Sequence, residues 1–287
     1  MGISLHNGGL ILSLSTDQKV TPGWCNIQGP RAVVLVLNLK TIEYILPEFI
    51  KEMKNLKVLI VTNYGFCTTE LKNLELLGSL LSLKRIRLQQ VSVPSLCDLK
   101  NVHKLSLYMC EVENAFENSS IDFSEAMPKL EDLSIEYCKD LVKLPTGLFN
   151  IAALRNLTIS NCHKFIGLPE EIEKLEKLKL LRISYCADIE EMPKSITKLK
   201  SLSFLDMSFC VSLKRLPEEI GELQNLKKLY MAGCPVLELP KSITDVGKLE
   251  SVICDEYAYP LWEVIKYRFS GLSIKTVTME ISLNWLS

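Results

Sequence analysis

The stretch Met207 to Leu223, MSFCVSLKRLPEEIGEL, places a cysteine inside an apolar rhythm that ends in Leu-Pro. The same spacing recurs along the chain, because five cysteines follow one another every 24 residues: Cys138, Cys162, Cys186, Cys210 and Cys234. A fixed period of about 20 to 29 residues indicates a repeat array, in which each unit must stack on its neighbours to bury its apolar face. The stretch therefore predicts a stacked architecture rather than an isolated reactive cysteine.

The repeat unit, aligned on those cysteines, reads Leu-x-x-Leu-x-Leu-x-x-Cys, with Leu three residues later and Leu-Pro six and seven residues later. Four consecutive units fit this pattern between Leu130 and Pro217, and a fifth ends at Pro240. Upstream the pattern is looser from Ala32 onward, and downstream it decays at Cys254. We predict about ten repeats over residues 32–254, a lead-in or cap over 1–31 and a C-terminal cap over 255–287.

Each unit has a direct structural interpretation. Side chains alternate between the two faces of a strand, so Leu-x-Leu predicts a short strand with leucines inward and x residues outward. The proline after each turn suits the start of a helical or 3₁₀ segment, because its φ is fixed. The sequence therefore predicts an α/β leucine-rich-repeat solenoid: a curved horseshoe with a parallel inner sheet and short helical or 3₁₀ outer segments.

The repeated cysteines are predicted to be structural. At the turn after each strand the side chain points inward, and a free cysteine behaves there as a small buried hydrophobe. A metal or redox ladder is the alternative, but groups placed once per repeat form a line rather than a tetrahedron. We assign the structural role to Cys138, Cys162, Cys186, Cys210 and Cys234 and expect reduced thiols.

Composition and motifs argue against several function classes. Lys and Arg number 33 against 34 Asp and Glu, so no overall positive field attracts nucleic acid or an anionic membrane. The chain has no phosphate-binding loop and no dinucleotide fingerprint, and its three histidines lack metal-ligand spacing. His163 follows Cys162, but a surface histidine beside a buried cysteine explains that pair better than a nucleophile does. We predict no enzyme activity, no cofactor and no metal.

The concave face of the predicted sheet is the candidate binding surface. Outward positions of neighbouring strands carry aromatic and apolar side chains, and an exposed apolar patch of this kind marks a protein partner. A basic group lies on earlier strands and would form a charged rim that orients the partner. The predicted partner-binding residues are Leu180, Tyr185, Phe204, Phe209, Tyr230, Tyr137, Lys84, Arg85, Arg87 and Lys104.

Several stretches resemble a known family. Residues 216–234, LPEEIGELQNLKKLYMAGC, look like the cytoplasmic plant type of leucine-rich repeat. Four other stretches resemble the start of the repeat domain in helper-class plant nucleotide-binding leucine-rich-repeat immune receptors with a powdery-mildew-resistance-type coiled coil: Trp24–Gln28, Val34–Asn38, Leu46–Ile50 and Leu56–Gly65. Cys254-Asp-Glu and Leu283–Leu286 are similar to that family's C-terminal cap. The resemblance extends over nearly the whole chain from about Leu10.

This resemblance implies a cytoplasmic role, with the nucleus as a second compartment, in defence signalling and hypersensitive cell death. The implied partners are a lipase-like signalling heterodimer and, in a full-length receptor, the protein's own nucleotide-binding module. We expect neither that module nor the family's membrane-active bundle here, because the chain opens on strand-like Leu10–Leu14. Direct membrane binding by this domain is not expected.

Other protein classes share such repeats. A secreted receptor ectodomain would need a signal peptide and paired flanking cysteines. The main alternative is an intracellular scaffold of another signalling complex without an immune role, which shares the Leu-Pro-x-x-Ile-Gly-x-Leu spelling. The sequence leaves open whether the domain inhibits or activates, and its oligomeric state.

Overall fold

The computed structural model describes residues 2–6, 9–15, 31–96, 98–116, 122–236 and 238–277, with side chains described from residue 10 onward. The quoted motifs at Trp24–Gln28 and Leu283–Leu286 lie outside these ranges. Strands predominate, and the helical segments that connect them are short. The strands are β1 (Gly2–His6), β2 (Gly9–Ser15), β3 (Ala32–Leu39), β4 (Glu43–Ile45), β5 (Val58–Asn63), β6 (Thr69–Lys72), β7 (Arg85–Gln89), β8 (Val91–Ser92), β9 (Lys104–Tyr108), β10 (Asp132–Glu136), β11 (Asn156–Ser160), β12 (Leu180–Ser184), β13 (Phe204–Asp206), β14 (Lys228–Tyr230), β15 (Ser251–Cys254) and β16 (Ser273–Thr276).

One sheet of 13 strands organises the described chain. Its order is β1-β2-β3-β5-β7-β9-β10-β11-β12-β13-β14-β15-β16, and every pair is parallel except β1 with β2. The prediction of a parallel inner sheet is confirmed. The sheet continues past both predicted boundaries, residues 31 and 255. Strands β1 and β2 extend it at one end of the array, and β16 extends it at the other. We call the solvent side of this sheet the concave face.

A second, smaller sheet was not predicted. It has the order β4-β6-β8, with both pairs parallel, and it lies beside the turns of the first repeats. Its strands include polar residues such as Glu43, Lys72 and Thr69. The alternation of apolar and polar residues that marks the main strands is short or missing in them, which is why the sequence pattern does not reveal them. Lys72 and Glu43 form an ion pair across β4 and β6 at 2.7 Å between Nζ and Oε2.

The return segments are mostly 3₁₀ helices, as predicted. The proline lies one residue earlier than expected: the N-cap residues of these segments, rather than their first helical residues, are Pro145, Pro169, Pro193 and Pro240, of which the first three are extended. Its carbonyl accepts the first helical N–H, as Pro145 does from Leu148. The 3₁₀ helices are Glu48–Glu52, Leu74–Ser79, Thr146–Asn150, Glu170–Lys174, Lys194–Lys198, Ile220–Glu222, Lys241–Asp245 and Lys266–Arg268, and the α-helices are Glu113–Phe116, Phe123–Ala126 and Tyr259–Ile265.

The core is a continuous column of inward-facing leucines. In the repeat around Cys210, Leu202, Leu205, Leu213 and Leu216 are all buried, and the same positions are buried in the two repeats before it. Burying one leucine side chain contributes about 1.5 to 3 kcal/mol. Because those contacts lie between repeats, the stability of each unit depends on its neighbours.

Backbone hydrogen bonds lock each repeat onto the previous one. The carbonyl of the residue before each strand accepts two N–H groups from the next repeat, as Lys179 does from Ser203 and Phe204 at 2.9 and 3.0 Å. The same bifurcated contact recurs along the array with acceptors at Lys57, Lys84, His103, Glu131, Arg155, Lys179, Ser203 and Lys227. This row fixes the register of the strands, and with it the alignment of the outward side chains.

The repeated cysteines point into this core. Cys138, Cys162, Cys186, Cys210 and Cys234 are buried, and each thiol lies near a carbonyl of the preceding repeat. Cys210 Sγ lies 3.2 Å from the Ile183 oxygen and Cys234 Sγ lies 2.9 Å from the Met207 oxygen. No group of metal-binding side chains occurs among the residues that the structure describes. Burial raises the pKa of the Cys210 thiol to about 11 and that of Cys234 to about 12.

Cysteine accessibility gives a first prediction. A short pulse of N-ethylmaleimide at about pH 8 should modify exposed Cys67 and leave Cys186, Cys210 and Cys234 unmodified, because burial and a raised pKa both suppress the reactive thiolate. Peptide mass spectrometry of the folded chain would measure this. A sample unfolded in guanidinium is the control and should be modified at all four positions. Rapid modification of Cys210 in the folded chain would contradict the buried position.

Candidate functional site

The strand register places outward side chains in columns across the concave face. Leu180, Phe204 and Lys228 are direct neighbours in one column, and Arg182, Asp206 and Tyr230 are neighbours in the next. Adjacent strands lie about 4.8 Å apart, so side chains in one column contact each other. The columns therefore bring together residues that are 24 positions apart in the sequence.

Phe204 lies at the centre of the first cluster. Its ring meets the Tyr230 ring edge-on, with 4.9 Å between the centroids and 76° between the planes. The Arg182 guanidinium carbon lies 5.4 Å from the Phe204 centroid on another side. Arg182 Nε also donates to Asp206 Oδ2 at 2.9 Å, and the Asp206 side chain is only 10% exposed. The cluster is therefore a cation and aromatic arrangement fixed by a nearly buried carboxylate.

Tyr185 and Phe209 form the second cluster, at the ends of neighbouring strands. Their rings are stacked, with centroids 4.4 Å apart and planes inclined by 15°. Both residues adopt the left-handed backbone conformation, with φ of 55° and 61°. The residue before each of the five repeated cysteines, and before Cys110, shares this conformation; the set is Met109, Tyr137, Asn161, Tyr185, Phe209 and Gly233.

Phe209 has a packing role that the sequence does not reveal. From the repeat pattern alone, Phe209 has no packing role and serves only as an outward contact, and that interpretation is wrong. Its ring packs against Tyr185 on one side and lies over Gly233 on the other, where an added Cβ would come within 2.6 Å of Phe209 Cδ1. The ring is consequently half-buried and held in place before any partner binds.

Tyr137 occupies the same column as Tyr185 and Phe209, as the repeat spacing predicts, but its ring belongs to another pair. It packs against Tyr108 of β9, with centroids 5.3 Å apart and planes inclined by 57°. Asn161 lies between Tyr137 and Tyr185 in that column. The predicted aromatic surface is therefore two separate groups, one on β9 and β10 and one on β12 to β14.

The four predicted basic residues lie near the aromatic group on β9 and β10, and they differ in exposure and in pairing. Arg85 and Arg87 project from β7 and are exposed, whereas Lys84 precedes the strand, is half-buried and contributes its carbonyl to the inter-repeat ladder. Lys104 Nζ lies 2.9 Å from Asp132 Oδ2 on the next strand. The pairing compensates the charge of Lys104, so Arg85 and Arg87 carry the local positive charge.

Comparison with known proteins identifies relatives of this chain. Disease resistance protein ADR1 of Arabidopsis thaliana is 46% identical over 280 residues, which cover 96% of this chain and 36% of that protein. The chain is a leucine-rich-repeat homologue of plant disease resistance proteins. Two probable disease resistance proteins of Arabidopsis thaliana are 36% and 42% identical over 153 and 150 residues, about half of this chain and 19% and 18% of their own lengths. The chain thus spans about a third or less of the length of these curated relatives.

The solved structures support the fold. The leucine-rich repeat domain of the type III effector XopL superposes with a TM-score of 0.62 at 21% identity, covering 77% of this chain and 76% of that one. The predicted leucine-rich-repeat solenoid is confirmed by this likeness. No protein-family profile matches the chain. Within the described residues, no helix is long and apolar enough to cross a membrane.

Four residues of the concave face were not predicted from the sequence. Arg182 and Asp206 are not among the predicted site residues, yet they fix the Phe204 cluster. Tyr108 and Gly233 contact the rings of Tyr137 and Phe209. Reading down the 24-residue columns would have placed Arg182 beside Asp206, because the strand register is the same in both repeats.

Gly233 provides a test of the second cluster. Gly233→Ala should lower the free energy of unfolding by about 2 kcal/mol, because its φ is +72° and the new methyl group meets the Phe209 ring. Adding Phe209→Ala should recover part of that loss, giving a coupling of about 1 kcal/mol in a double-mutant cycle. Urea denaturation of the four variants would measure both quantities.

Gly247→Ala is the matched control for this cycle. No atom lies within 4 Å of its added Cβ and its backbone is not left-handed, so the change should stay within about 0.5 kcal/mol. Additive effects of the Gly233 and Phe209 substitutions would show that the ring does not lie over the glycine.

Proposed function

We propose that this chain is the protein-binding and regulatory repeat domain of a cytoplasmic plant immune receptor of the helper class. In this proposal residues 32–254 form the repeat array, with cap segments on either side, and the five repeated cysteines only stabilise it. The proposal is supported most strongly by the aromatic surface that consists of the Phe204 and Phe209 clusters, on neighbouring strands of an extended sheet. The likeness to ADR1 over 96% of the chain supports the assignment to a plant disease resistance protein.

The aromatic surface has the properties of a binding hot spot. Large aromatic side chains and arginine contribute most of the energy at protein interfaces, especially when they are held in place before binding. Phe204, Phe209 and Tyr230 are half-buried, and each is fixed by a neighbouring ring. Leu180 extends the apolar area next to Phe204. A partner that covers this surface loses little side-chain entropy on the receptor side.

The partner we propose is a lipase-like signalling heterodimer, with the receptor's own nucleotide-binding module as a second contact of the repeat domain. Contact with these proteins would connect the domain to defence signalling and hypersensitive cell death. A protein-binding repeat array needs no catalytic residues and no cofactor, and the concave face offers contact surface rather than a deep site. The proposed role is therefore recognition, without chemistry.

Substitution of both phenylalanines tests this function. Phe204→Ala with Phe209→Ala should weaken binding of the purified lipase-like heterodimer by at least about tenfold, because both hot-spot rings are removed. Calorimetric titration would measure the affinity, and circular dichroism would check that the variant is folded. Tyr267→Ala is the control, since that ring is exposed on the 3₁₀ helix Lys266–Arg268, which contributes no residue to either cluster. Unchanged affinity in the folded double variant would refute the assignment of this surface.

A further inference from the structure

We propose that Arg85 and Arg87 form a carboxylate-binding subsite on the concave face, which takes two acidic side chains of a protein partner beside an apolar one. The inference rests on the proposed function, because it specifies part of the partner's chemistry. It concerns a region separate from the Phe204 and Phe209 clusters, since three strands lie between β7 and β12, the nearest strand of those clusters. We call this region the arginine subsite, and it consists of Arg85, Arg87, Val58, Ile60 and Ser106.

The two arginines have a geometry suited to a pair of carboxylates. They alternate with buried Ile86 on β7, so both side chains leave the same face of the sheet, and both are exposed. Residues two apart on a strand lie about 6.7 Å from each other. Each guanidinium offers a planar fork that binds one carboxylate through two hydrogen bonds. Two acidic residues at alternate positions of an extended segment have the same spacing.

The charges of Arg85 and Arg87 lack the compensation that other basic residues on the concave face have. Lys104 pairs with Asp132 and Arg182 pairs with Asp206, each across one strand step at 2.9 Å. Among the described residues, neither arginine of the subsite makes an ion pair or a side-chain hydrogen bond. Arg85 also lies directly opposite Lys104 in the register. Because Lys104 already has Asp132 as its counter-ion, Arg85 has no carboxylate of its own beside it, and an external anion would supply one.

The surroundings of the arginines select the kind of anion. On β5, Val58 and Ile60 lie directly beside Arg85 and Arg87 and give the subsite an apolar wall. On β9, Ser106 lies beside Arg87 and adds a hydroxyl group. These residues line one shallow concavity of the sheet, together with the Lys104–Asp132 ion pair and Ser134. An apolar wall next to two arginines fits a peptide segment with mixed acidic and aliphatic side chains.

The same observations argue against a polyanion. Nucleic acid binding requires many phosphate contacts, whereas the subsite has two uncompensated charges and the chain has a net charge of −1. A single phosphate would use the arginines and leave Val58 and Ile60 uncovered. The carboxylates of a protein segment use both features, and electrostatic attraction of this kind raises the association rate and fixes the orientation of the partner.

A pair of matched peptides tests the subsite directly. The probes are fluorescein-labelled Leu-Leu-Asp-Ser-Asp-Leu-Leu and the same peptide with both Asp residues replaced by Asn, titrated against the full chain by fluorescence anisotropy. We expect the acidic peptide to bind about tenfold more tightly at low salt, and the difference to shrink at about 150 mM salt. Arg85→Gln with Arg87→Gln should remove the difference between the two peptides.

Control substitutions separate the subsite from general electrostatics. Lys228→Gln removes a positive charge from the column that contains Arg85, but on β14, six strands along the sheet order from β7, and should leave the preference for the acidic peptide unchanged. Arg85→Lys with Arg87→Lys keeps the charge without the planar forks and should retain only part of the preference. Equal binding of both peptides to the unaltered chain would overturn the proposal, as would an equal effect of Lys228→Gln. Displacement by micromolar inorganic phosphate would also overturn it, since the arginines would then bind phosphate.

The heterodimer distinguishes this inference from the proposed function. If the function is right, the arginine variant should bind the heterodimer with a slower association rate and a weaker salt dependence, while the phenylalanine variant should dissociate faster. If the heterodimer does not bind but the arginines select the acidic peptide, the proposed partner is wrong and the subsite stands. If the heterodimer binds and the arginine substitutions change neither its rate nor the peptide preference, the subsite is wrong and the function stands.

Discussion

Every repeat of this protein completes its neighbour's core, and the rest of the structure depends on that constraint. A single unit of about 24 residues cannot bury its leucines, so their burial requires the next unit in the same register. The bifurcated hydrogen bonds at the start of each strand, such as those accepted by Lys179, impose that register on the backbone. The outward side chains have no role in the core, yet their alignment into columns follows from the same constraint.

The left-handed residue before each cysteine links the interior to the surface. The chain must turn sharply to bring the thiol inward, and the preceding residue takes a positive φ to allow it. This geometry directs the preceding side chain outward at the edge of the sheet. Tyr185 and Phe209 each directly precede a buried cysteine, and their rings stack at this edge. The smallest member of the series, Gly233, gives the Phe209 ring the space that it occupies.

The strand register also decides which charged residues on the concave face are neighbours. Where acidic and basic residues occupy neighbouring places in one column, as with Arg182 and Asp206, the pair stabilises the local surface and holds an aromatic ring. Where the column brings Arg85 next to Lys104, the fold gains nothing from the arrangement. A surface of this design combines a preformed aromatic area with an uncompensated basic area at a distance of several strands.

The sequence by itself determined the repeat length, the inward leucines, the parallel strands and the buried cysteines, because periodic apolar residues have few ways to be buried. The column positions of Tyr137, Tyr185 and Phe209 also followed from the spacing. Only the tertiary structure decided which rings touch, that Arg182 and Asp206 support Phe204, that Lys104 is neutralised, and that a second sheet forms from β4, β6 and β8. These outcomes depend on side-chain reach and on contacts across strands, and a one-dimensional pattern places residues in a column without showing which neighbour each side chain meets.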